Sequence, residues 1–528
     1  MYGEDPLFGL LGRIGRPVEG HRPWPRYVTD RAGWLQLIEA LAGNGWSLLG
    51  LWGEADTVHA AVREELAGDV AVVSLPCPDR RFPSLSAVRP AANRLERAAH
   101  DLFGLIPENG VDGRPWLDHG HWGVRHPLAA SPAPVPPTTE AQPPYRFLPA
   151  EGPGLHQIPV GPVHAGIIEP GHFRFTANGE TVVRLEERLG YVHKGVEGLM
   201  RGKMPAEAAR IVARLSGDST VAHALAFARA VEAALGIEPP PRAVWLRALM
   251  AELERVANHL GDIGAICNDA AFAFMLAEMG QLREMVLRAA DACFGHRLMM
   301  DRVVPGGVMP DIAESGRTRL GDLTADLRRR FLPLVAIYDT KTSLLDRTVT
   351  TGVVSTGLAQ RFGAGGHVGR ASGRGLDARK SPGYPPYTDL EFEVPVLTEG
   401  DVNARIWIRI REVEQSLSLI DQILRRMPGV PRGPDGIVPP PMLPDLPKRA
   451  GQGGPRGSGE GMALVESFRG EIMTWVRLAD DGTIDRCHPR DPSWFQWPLL
   501  EAAIEGNIVA DFPLCNKSFN GSYSGQDL

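Results

Sequence analysis

Residues 216–219 read Ser-Gly-Asp-Ser and place two hydroxyl groups and one carboxylate on a short stretch of chain. Oxygen donors of this kind are the ligands that hard cations such as Mg²⁺ prefer. The segment therefore indicates either a cation site or a polar pocket that is bonded only to water. Both interpretations stay open at the level of the sequence.

Two further side chains could move protons. His164 ends the segment Gly-Pro-Val-His, and a histidine changes its charge near neutral pH. Glu197 follows Lys194-Gly195-Val196, and a buried carboxylate passes protons only if its pKa is raised toward the working pH. The structural alternatives are a loop histidine bonded to backbone and a salt-bridged glutamate near the start of a helix.

The chain contains five cysteines, and no two of them form a Cys-x-x-Cys pair. Closely spaced pairs are typical of zinc ribbons and of ferredoxin-type iron–sulfur modules, and dense cysteines are typical of small disulfide-rich domains. The spacing excludes these three classes. The cysteines are Cys77, Cys267, Cys293, Cys487 and Cys515.

The 528 residues are 43% hydrophobic and 23% charged, and their formal net charge is −7. At roughly 150 residues per domain, this length predicts about two to four domains with ordinary globular cores. The chain shows neither the basic face nor the basic tail of a typical nucleic-acid binder. It also lacks a secretory signal pattern and any run near the roughly 20 apolar residues that span a bilayer. We therefore expect a soluble cytoplasmic protein, and docking onto another protein stays open.

Two dissimilar regions must position the candidate residues. Residues 1–128 are predicted to form a small α/β domain with helices at 34–42 and 91–105 and strands at 47–52 and 70–75. Residues 129–154 contain eight prolines, and this density favours an extended linker.

The rest of the chain is predicted to be mainly helical, so that the fold class is α+β. It begins with a β-hairpin turning at Asn178-Gly179, which is the strongest two-residue hairpin signal. Apolar residues at helical spacing predict a buried helix at 242–260. Residues 427–461 are rich in glycine and proline and predict a surface loop. Further helices are predicted at 206–234, 272–294, 316–342, 401–426 and 497–505, and strands at 462–466 and 472–478.

Several short motifs are difficult to explain as generic helix or turn. They are GPVH at 161–164, EPGHFR at 169–174, YVHKGVE at 191–197, ELER at 252–255, NHL at 258–260, PGGV at 305–308, RASG at 370–373, GEG at 459–461, VESFRGE at 465–471 and DPS at 491–493. In this order they resemble the large subunit of group 4, formate hydrogenlyase-type [NiFe] hydrogenases. They equally resemble the D-type subunit of respiratory complex I.

The N-terminal region carries a resemblance of its own. The motifs ER at 96–97, HDLFGL at 100–105 and HPL at 126–128 resemble the C-type subunit of complex I, which formate hydrogenlyase-type enzymes carry fused ahead of the large subunit. The two resemblances imply a C-subunit-like domain at 1–128, the linker at 129–154, and a hydrogenase large-subunit-like or complex I D-subunit-like domain at 155–528.

The resemblance breaks at the metal site. In the hydrogenases, two Cys-x-x-Cys pairs hold nickel and iron, and soft thiolates suit these metals. The matching positions here are Ser216 and Ser219 for the first pair and Ser522 and Gly525 for the second. A serine hydroxyl stays protonated near neutral pH and is a poor ligand for such a centre. We therefore expect a degenerate homologue that binds no metal and is not a hydrogenase.

The resemblance also assigns the surrounding pocket. In complex I the corresponding pocket binds a quinone headgroup through a histidine, which His164 matches, and a tyrosine, which has no counterpart here. Glu197 matches the proton-relay glutamate of the hydrogenases, and Asp218 adds a carboxylate to the same cavity. The residues expected at the wall of this cavity are His223, Asp377, Arg379 and Arg469.

These expectations define a catalytic-type subunit of a membrane-associated, complex I-like redox complex, peripheral on the cytoplasmic side of the inner or plasma membrane. The resemblance implies a hetero-oligomer with a small subunit that holds a [4Fe–4S] cluster and with antiporter-like membrane subunits. The chain itself would hold no cofactor, quinone apart, and would couple electron transfer to ion movement without evolving hydrogen. Two alternatives stay open: a quinone-type oxidoreductase subunit that uses His164, and a non-catalytic structural or coupling subunit.

Overall fold

The computed structural model describes residues 7–135, 145–164, 168–309, 311–429 and 459–528. Its N-terminal region contains, in chain order, α1 (Leu7–Ile14), β1 (Gly15–Val18), β2 (His21–Arg22), β3 (Arg26–Thr29), α2 (Arg31–Ala42), β4 (Trp46–Gly53), β5 (Thr57–Glu64), β6 (Val70–Pro76), β7 (Arg81–Pro83), α3 (Ala92–Phe103), β8 (Ile106–Glu108), β9 (Val124–Arg125) and β10 (Ala133–Pro134).

The N-terminal strands form a mixed sheet in the order β1-β3-β6-β5-β4. β4 is buried along its whole length, because α3 packs on it from one side and a strand of the C-terminal region lies against it from the other. The two strands are so close at Gly50 that a Cβ on this residue would lie 2.6 Å from Met473 Cε. The predicted helices and strands of this region are confirmed, whereas the sequence patterns missed β5.

The second region contains β11 (Leu155–Val160), β12 (His172–Asn178), β13 (Thr181–Arg188), α4 (Val196–Met200), α5 (Pro205–Val212), α6 (Thr220–Leu235), α7 (Pro241–Asp269), α8 (Ala273–Phe294), β14 (Val303–Val304), β15 (Gly307–Val308), α9 (Glu314–Thr340), α10 (Thr342–Thr348), α11 (Thr356–Arg361), α12 (Gly366–Ala371), α13 (Val402–Arg426), β16 (Glu460–Glu466), β17 (Glu471–Leu478), β18 (Ile484–Arg490), α14 (Ser493–Ala503), α15 (Phe512–Phe519) and α16 (Tyr523–Asp527).

The long helix α7 lies at the centre of the helical core, where it packs against α8 and α13. Its predicted apolar stripe is buried, and so are several of its charged side chains, which need partners inside the protein. In the described part of the chain, no helix is long and apolar enough to cross a membrane. The α+β class, with a β-rich N-terminal region and a large helical region, is confirmed.

The N-terminal and C-terminal ends of the chain share a sheet. β16, β17 and β18 are antiparallel neighbours, and the short strand β2 pairs in parallel with β16, so that His21 lies opposite Glu460. An ion pair of 2.7 Å between Arg63 and Glu471 crosses the same boundary. The two regions are therefore tightly packed, and the boundaries given for domains and linker stay predictions.

Two local predictions had different outcomes. The hairpin at Asn178-Gly179 is confirmed, because β12 and β13 pair there and Gly179 adopts a φ of +59°. The single helix at 206–234 is wrong: the chain leaves the helix after α5, and Ser216 is extended (φ −142°, ψ 114°) before α6 begins. The sequence of this segment favours a helix, but hydrogen bonds from its side chains to distant parts of the chain stabilise the extended conformation instead. Of the predicted loop at 427–461, residues 430–458 lie outside the described residues.

Candidate functional site

Three segments that are distant in sequence meet at one site. They are the interruption between α5 and α6, the turn that joins β16 to β17, and the last residues of the chain around α16. We use the name serine cluster for the side chains that they bring together, which are Ser216, Asp218, Ser219, Arg469 and Ser522.

The two hydroxyls of Ser216 and Ser522 are hydrogen-bonded to each other at 2.8 Å. Ser216 Oγ also donates to Asp218 Oδ1 at 2.9 Å, so the Ser522 hydroxyl must be the donor between the two serines. Ser522 Oγ in turn accepts from the Gly525 N–H at 3.0 Å and caps α16. The result is a one-way chain of donors that ends on the Asp218 carboxylate, and such chains strengthen each of their bonds.

Arg469 neutralises that carboxylate through two parallel hydrogen bonds. Its Nη1 lies 2.7 Å from Asp218 Oδ1, and its Nη2 lies 2.5 Å from Oδ2. Desolvation would raise the pKa of Asp218, but the charge and hydrogen bonds of Arg469 outweigh it and lower the pKa below its ordinary value. The Arg469 side chain is 3% exposed and that of Asp218 is 37% exposed, so the carboxylate is the accessible face of the cluster.

Gly525, the fourth predicted ligand position, has no room for a side chain. A Cβ on Gly525 would lie 2.7 Å from Asp491 Oδ2 and 3.0 Å from Ser522 Oγ. Asp491 is itself held in place, because His223 Nε2 donates to it at 2.9 Å and the Ser493 N–H donates at 2.8 Å. His223, which was expected at the wall of the cavity, thus fixes the position of Asp491, and Asp491 is the residue that lies against Gly525.

These residues do not fit a nickel–iron centre. The four positions that the resemblance predicts as ligands present three hydroxyls, two of which bind each other, and a glycine that has no space for a thiolate. Within the described ranges, no group of three or more His, Cys, Asp or Glu side chains has an arrangement that could hold a metal ion. The Mg²⁺ site at residues 216–219 stays a prediction. It would need the Asp218 carboxylate as a ligand, and both oxygens of that carboxylate are hydrogen-bonded to Arg469.

Glu197 is buried near the start of α4 and is tied to β18. Arg486 Nη1 lies 2.7 Å from its Oε2, and His488 Nδ1 donates to its Oε1 at 2.6 Å. Burial would raise the pKa of Glu197, but Arg486 and His488 outweigh it and lower the pKa to about 2. The side chain is therefore ionised at neutral pH, and its role in proton transfer stays a prediction.

His164 lies at the end of a described stretch and is partly buried. Glu169 Oε2 accepts from the Ser524 N–H at 3.0 Å, two residues beyond Ser522 of the serine cluster. The sequence predicted His164 as a site residue but not Glu169. Glu169 is the first residue of the motif at 169–174, and that motif is the sequence feature that could have indicated it.

Asp377 and Arg379 make their contacts elsewhere. Arg379 binds Asp377 at 2.7 Å and Glu252 at 3.1 Å inside the helical core, where Arg370 also lies 3.5 Å from Asp377. The structure thus brings Ser216, Ser219, Ser522, Asp218 and Arg469 together, whereas Asp377 and Arg379 pair with residues of α7 and of the segment around α12. Their place at the cavity wall stays a prediction.

Two buried acids near the cluster were missed. Glu254 on α7 accepts hydrogen bonds from the Val221 and Ala222 N–H groups at the start of α6, and burial raises its pKa to about 8. Asp527 accepts from the Gly190 and Val192 N–H groups, and burial raises its pKa to about 7. No sequence pattern indicated Asp527, because its partners lie more than 300 residues earlier in the chain.

Three family models match the chain. The model described as "Respiratory-chain NADH dehydrogenase, 49 Kd subunit" matches residues 269–527, and the one described as "Nickel-dependent hydrogenase" matches residues 194–261. A third, "Respiratory-chain NADH dehydrogenase, 30 Kd subunit", matches residues 53–133 in the N-terminal region.

Curated relatives and a solved structure agree with these matches. Formate hydrogenlyase subunit 5 of Escherichia coli is 30% identical over 454 residues, which cover 84% of this chain and 77% of the relative. An NADH-quinone oxidoreductase subunit of a Roseiflexus species is 32% identical over 360 residues, which cover 67% of this chain and 94% of the relative. A chain in the structure of the membrane-bound sulfane sulfur reductase, an archaeal respiratory membrane complex, is 27% identical with a TM-score of 0.64, and the match covers 71% of this protein and 99% of that chain. The protein thus belongs to the family that comprises the large subunits of membrane-bound [NiFe] hydrogenases and the 49 kDa subunit of respiratory complex I.

Proposed function

We propose that the chain is the large subunit of a membrane-associated, complex I-like redox complex that contains no nickel–iron centre and neither evolves nor oxidises hydrogen. The observation that carries this proposal is the serine cluster. At the four predicted ligand positions, Ser216 and Ser522 are bonded to each other, Ser219 lies 3.3 Å from Arg469, and Gly525 leaves no space for a fourth ligand.

The proposed partners follow from the family. The small subunit would hold a [4Fe–4S] cluster that delivers electrons, and antiporter-like membrane subunits would move ions. The face of the serine cluster that carries the accessible Asp218 carboxylate is the one that a partner or a ligand can reach. Arg469 would keep this face neutral overall when the carboxylate is ionised.

Elemental analysis and hydrogen oxidation test the absence of the metal centre. We expect the purified complex to contain iron and labile sulfide from its partner but far less than one nickel per large subunit. It should not reduce viologen with hydrogen. A nickel-containing relative purified in the same way is the control, and stoichiometric nickel or hydrogen-dependent viologen reduction would contradict the proposal.

Copurification tests the proposed assembly. A tagged full-length chain isolated from detergent-solubilised membranes should bring with it an iron–sulfur protein and polytopic membrane proteins, identified by mass spectrometry. Recovery of the chain alone under mild detergent and low salt would argue against the proposed partners.

A second candidate is a quinone-type oxidoreductase, favoured by Glu169, which accepts from the N–H of Ser524 beside the serine cluster and follows His164 closely in the sequence. In that case, production of reduced quinone should fail in His164→Ala and survive in the control Ser216→Ala. If turnover is instead unchanged in variants of His164, Glu197 and Asp218 but deletion of the chain abolishes assembly, the subunit has a structural or coupling role.

A further inference from the structure

A group of charged side chains is enclosed in the helical core, and we name it the buried charged cluster. None of its members is more than 2% exposed. The members are Glu252, Arg255, Arg370, Asp377, Arg379, Glu412 and Glu466.

Each arginine of this cluster joins two carboxylates. Arg370 donates to Glu412 Oε1 and to Glu466 Oε1, both at 2.8 Å. Arg379 donates to Asp377 at 2.7 Å and to Glu252 at 3.1 Å. Arg255 lies 3.4 Å from Glu252 and 3.6 Å from Glu412, and the three arginines thereby connect all four acids.

The charges of the cluster do not balance. Its three guanidinium groups face four carboxyl groups, so full ionisation would leave one negative charge without a counterion. Arg229 of α6 lies over the Tyr384 ring, 4.2 Å from its centre, and forms no ion pair with an acid of the cluster among the described residues. The other charged groups around the cluster balance one another. They are Arg409 with Asp262, Arg469 with Asp218, and Arg63 and Arg490 with Glu471 and Asp491.

An uncompensated charge in the interior is costly, and protonation is the ordinary way to remove it. His259 could take the proton, since its Nε2 lies 2.7 Å from Glu412 Oε2. Burial, however, lowers the pKa of the His259 imidazole, and the neutral ring already donates this hydrogen bond. The proton therefore belongs on one of the four acids.

The acids differ in the number of hydrogen bonds that support a negative charge. Glu252 accepts from Tyr387 Oη and Ser416 Oγ, both at 2.6 Å, in addition to Arg379. Asp377 receives three donors from Arg379. Glu412 has two nitrogens of Arg370 at 2.8 and 2.7 Å from its Oε1, and its Oε2 accepts from His259 at 2.7 Å. Glu466 accepts only one N–H of Arg370 and the Ala378 N–H at 3.0 Å among the contacts of the described residues.

We propose that Glu466 is a proton-binding site, which takes up and releases one proton near neutral pH and exchanges it with buried water. A cavity of about 20 Å³ lies beside it, lined by Asp377, Glu471, Arg63 and Arg490 among others, and this is room for one water molecule. On release, the Glu466 O–H bond breaks and the proton passes to that water and on to solvent, with no transfer of electrons. Burial and the neighbouring Asp377 carboxylate raise the pKa of Glu466 to about 7, in agreement with the charge count.

The position of Glu466 connects this proton to the serine cluster. Glu466 ends β16, and Arg469 stands on the turn that follows it. Arg255 of the buried charged cluster holds this turn by donating to the Glu466 and Ser467 carbonyls at 2.8 and 2.9 Å. Loss of the proton adds a negative charge at the base of the turn that presents Arg469 to Asp218. The inference goes beyond the proposed function, because the charge count does not depend on what the complex reduces.

Two isosteric variants of the full-length chain test the proposal. Glu466→Gln copies a protonated glutamate, so we expect it to keep the thermal midpoint of the wild type at neutral pH. Glu412→Gln makes the same change at an acid that must stay ionised, and it should lower the midpoint clearly. In infrared difference spectra between the wild type and Glu466→Gln, one carbonyl band of a protonated carboxyl group should be absent from the variant.

The pH dependence gives a measurement that does not need the Glu412 variant to fold. Because the pKa of Glu466 is raised, the wild type should lose stability as the pH rises from the ordinary glutamate pKa to about 7, and Glu466→Gln should remove that part of the loss. Glu471→Gln is the control that should leave the infrared band in place. An unchanged band in Glu466→Gln, or a midpoint that falls as far as that of Glu412→Gln, would show that Glu466 is ionised and would overturn the proposal.

Discussion

A hydroxyl can both donate and accept, and this property explains how Ser216 and Ser522 form a polar site without a metal. Each serine receives a hydrogen bond on one side and gives one on the other, so the chain of bonds from Gly525 to Asp218 is satisfied without a metal. The same residues that make the site a poor nickel ligand set therefore make it a stable polar core.

At Gly525 the absence of a side chain is itself a requirement. In Gly525→Ala the new Cβ would lie 2.7 Å from Asp491, and such overpacking costs about 1–3 kcal/mol. We expect this loss in the free energy of unfolding, measured with urea. Gly217→Ala is the matched control, because nothing lies within 4 Å of a Cβ at that position. Equal stability of the two variants would argue against the packing described for Gly525.

Glu197 predicts a specific acid sensitivity. Its pKa is about 2 against an ordinary value of 4.5, so the stability that its ionised form contributes is present above pH 4.5 and is lost as the pH falls toward 2. The contribution is on the order of 3 kcal/mol. In Glu197→Gln the unfolding free energy should be lower than in the wild type at neutral pH, and the difference should shrink on acidification. A difference that is independent of pH would show that Glu197 is not the ionised partner of Arg486 and His488.

At the scale of elements, the short helix α16 depends on its cap. Ser522 Oγ accepts from the Gly525 N–H at the start of this helix. Because α16 contains only five residues, it has few internal hydrogen bonds, and the cap is a large share of its stabilisation. Ser522→Ala removes this cap together with the bond to Ser216, and loss of an N-cap costs about 0.5–2 kcal/mol.

The contrast with Ser219 makes this prediction specific. Among the described residues, the Ser219 hydroxyl has only long contacts, at 3.3 Å to Arg469 and 3.5 Å to Asp218. We therefore expect Ser219→Ala to cost less than Ser522→Ala in urea unfolding, although the resemblance predicts both positions as ligands of the same metal site. The reverse order would contradict the donor chain.

The elements also show where sequence patterns succeed and fail. α7 was predictable because its apolar residues recur with helical spacing and the stripe is buried. The break between α5 and α6 was not, because Ser216 and Asp218 take their partners from Ser522 and Arg469, about 250 to 300 residues away. Local propensity cannot contain information of that kind.

For the whole molecule, the N-terminal region is an integral part of the core. Trp52 on β4 and Trp475 on β17 are both buried, with ring centres 5.5 Å apart, and β2 completes the C-terminal sheet. We expect a chain that begins at residue 155 to be recovered mainly as aggregate, because its exposed strand edge and buried aromatic residues would face water. A soluble product with a cooperative thermal transition near that of the full chain would contradict this expectation.

The order of residue types along the chain is enough to establish which chemistry is available. The ordered motifs identified the family, and serine and glycine at the four ligand positions removed the soft donors. How these positions are used depends on the folded molecule, which pairs Ser216 with Ser522, places Arg469 on Asp218, ionises Glu197 and encloses four acids with three arginines. The physical reason is that residue types follow from sequence, whereas hydrogen-bond partners and desolvation depend on which distant segments the fold brings within a few ångströms.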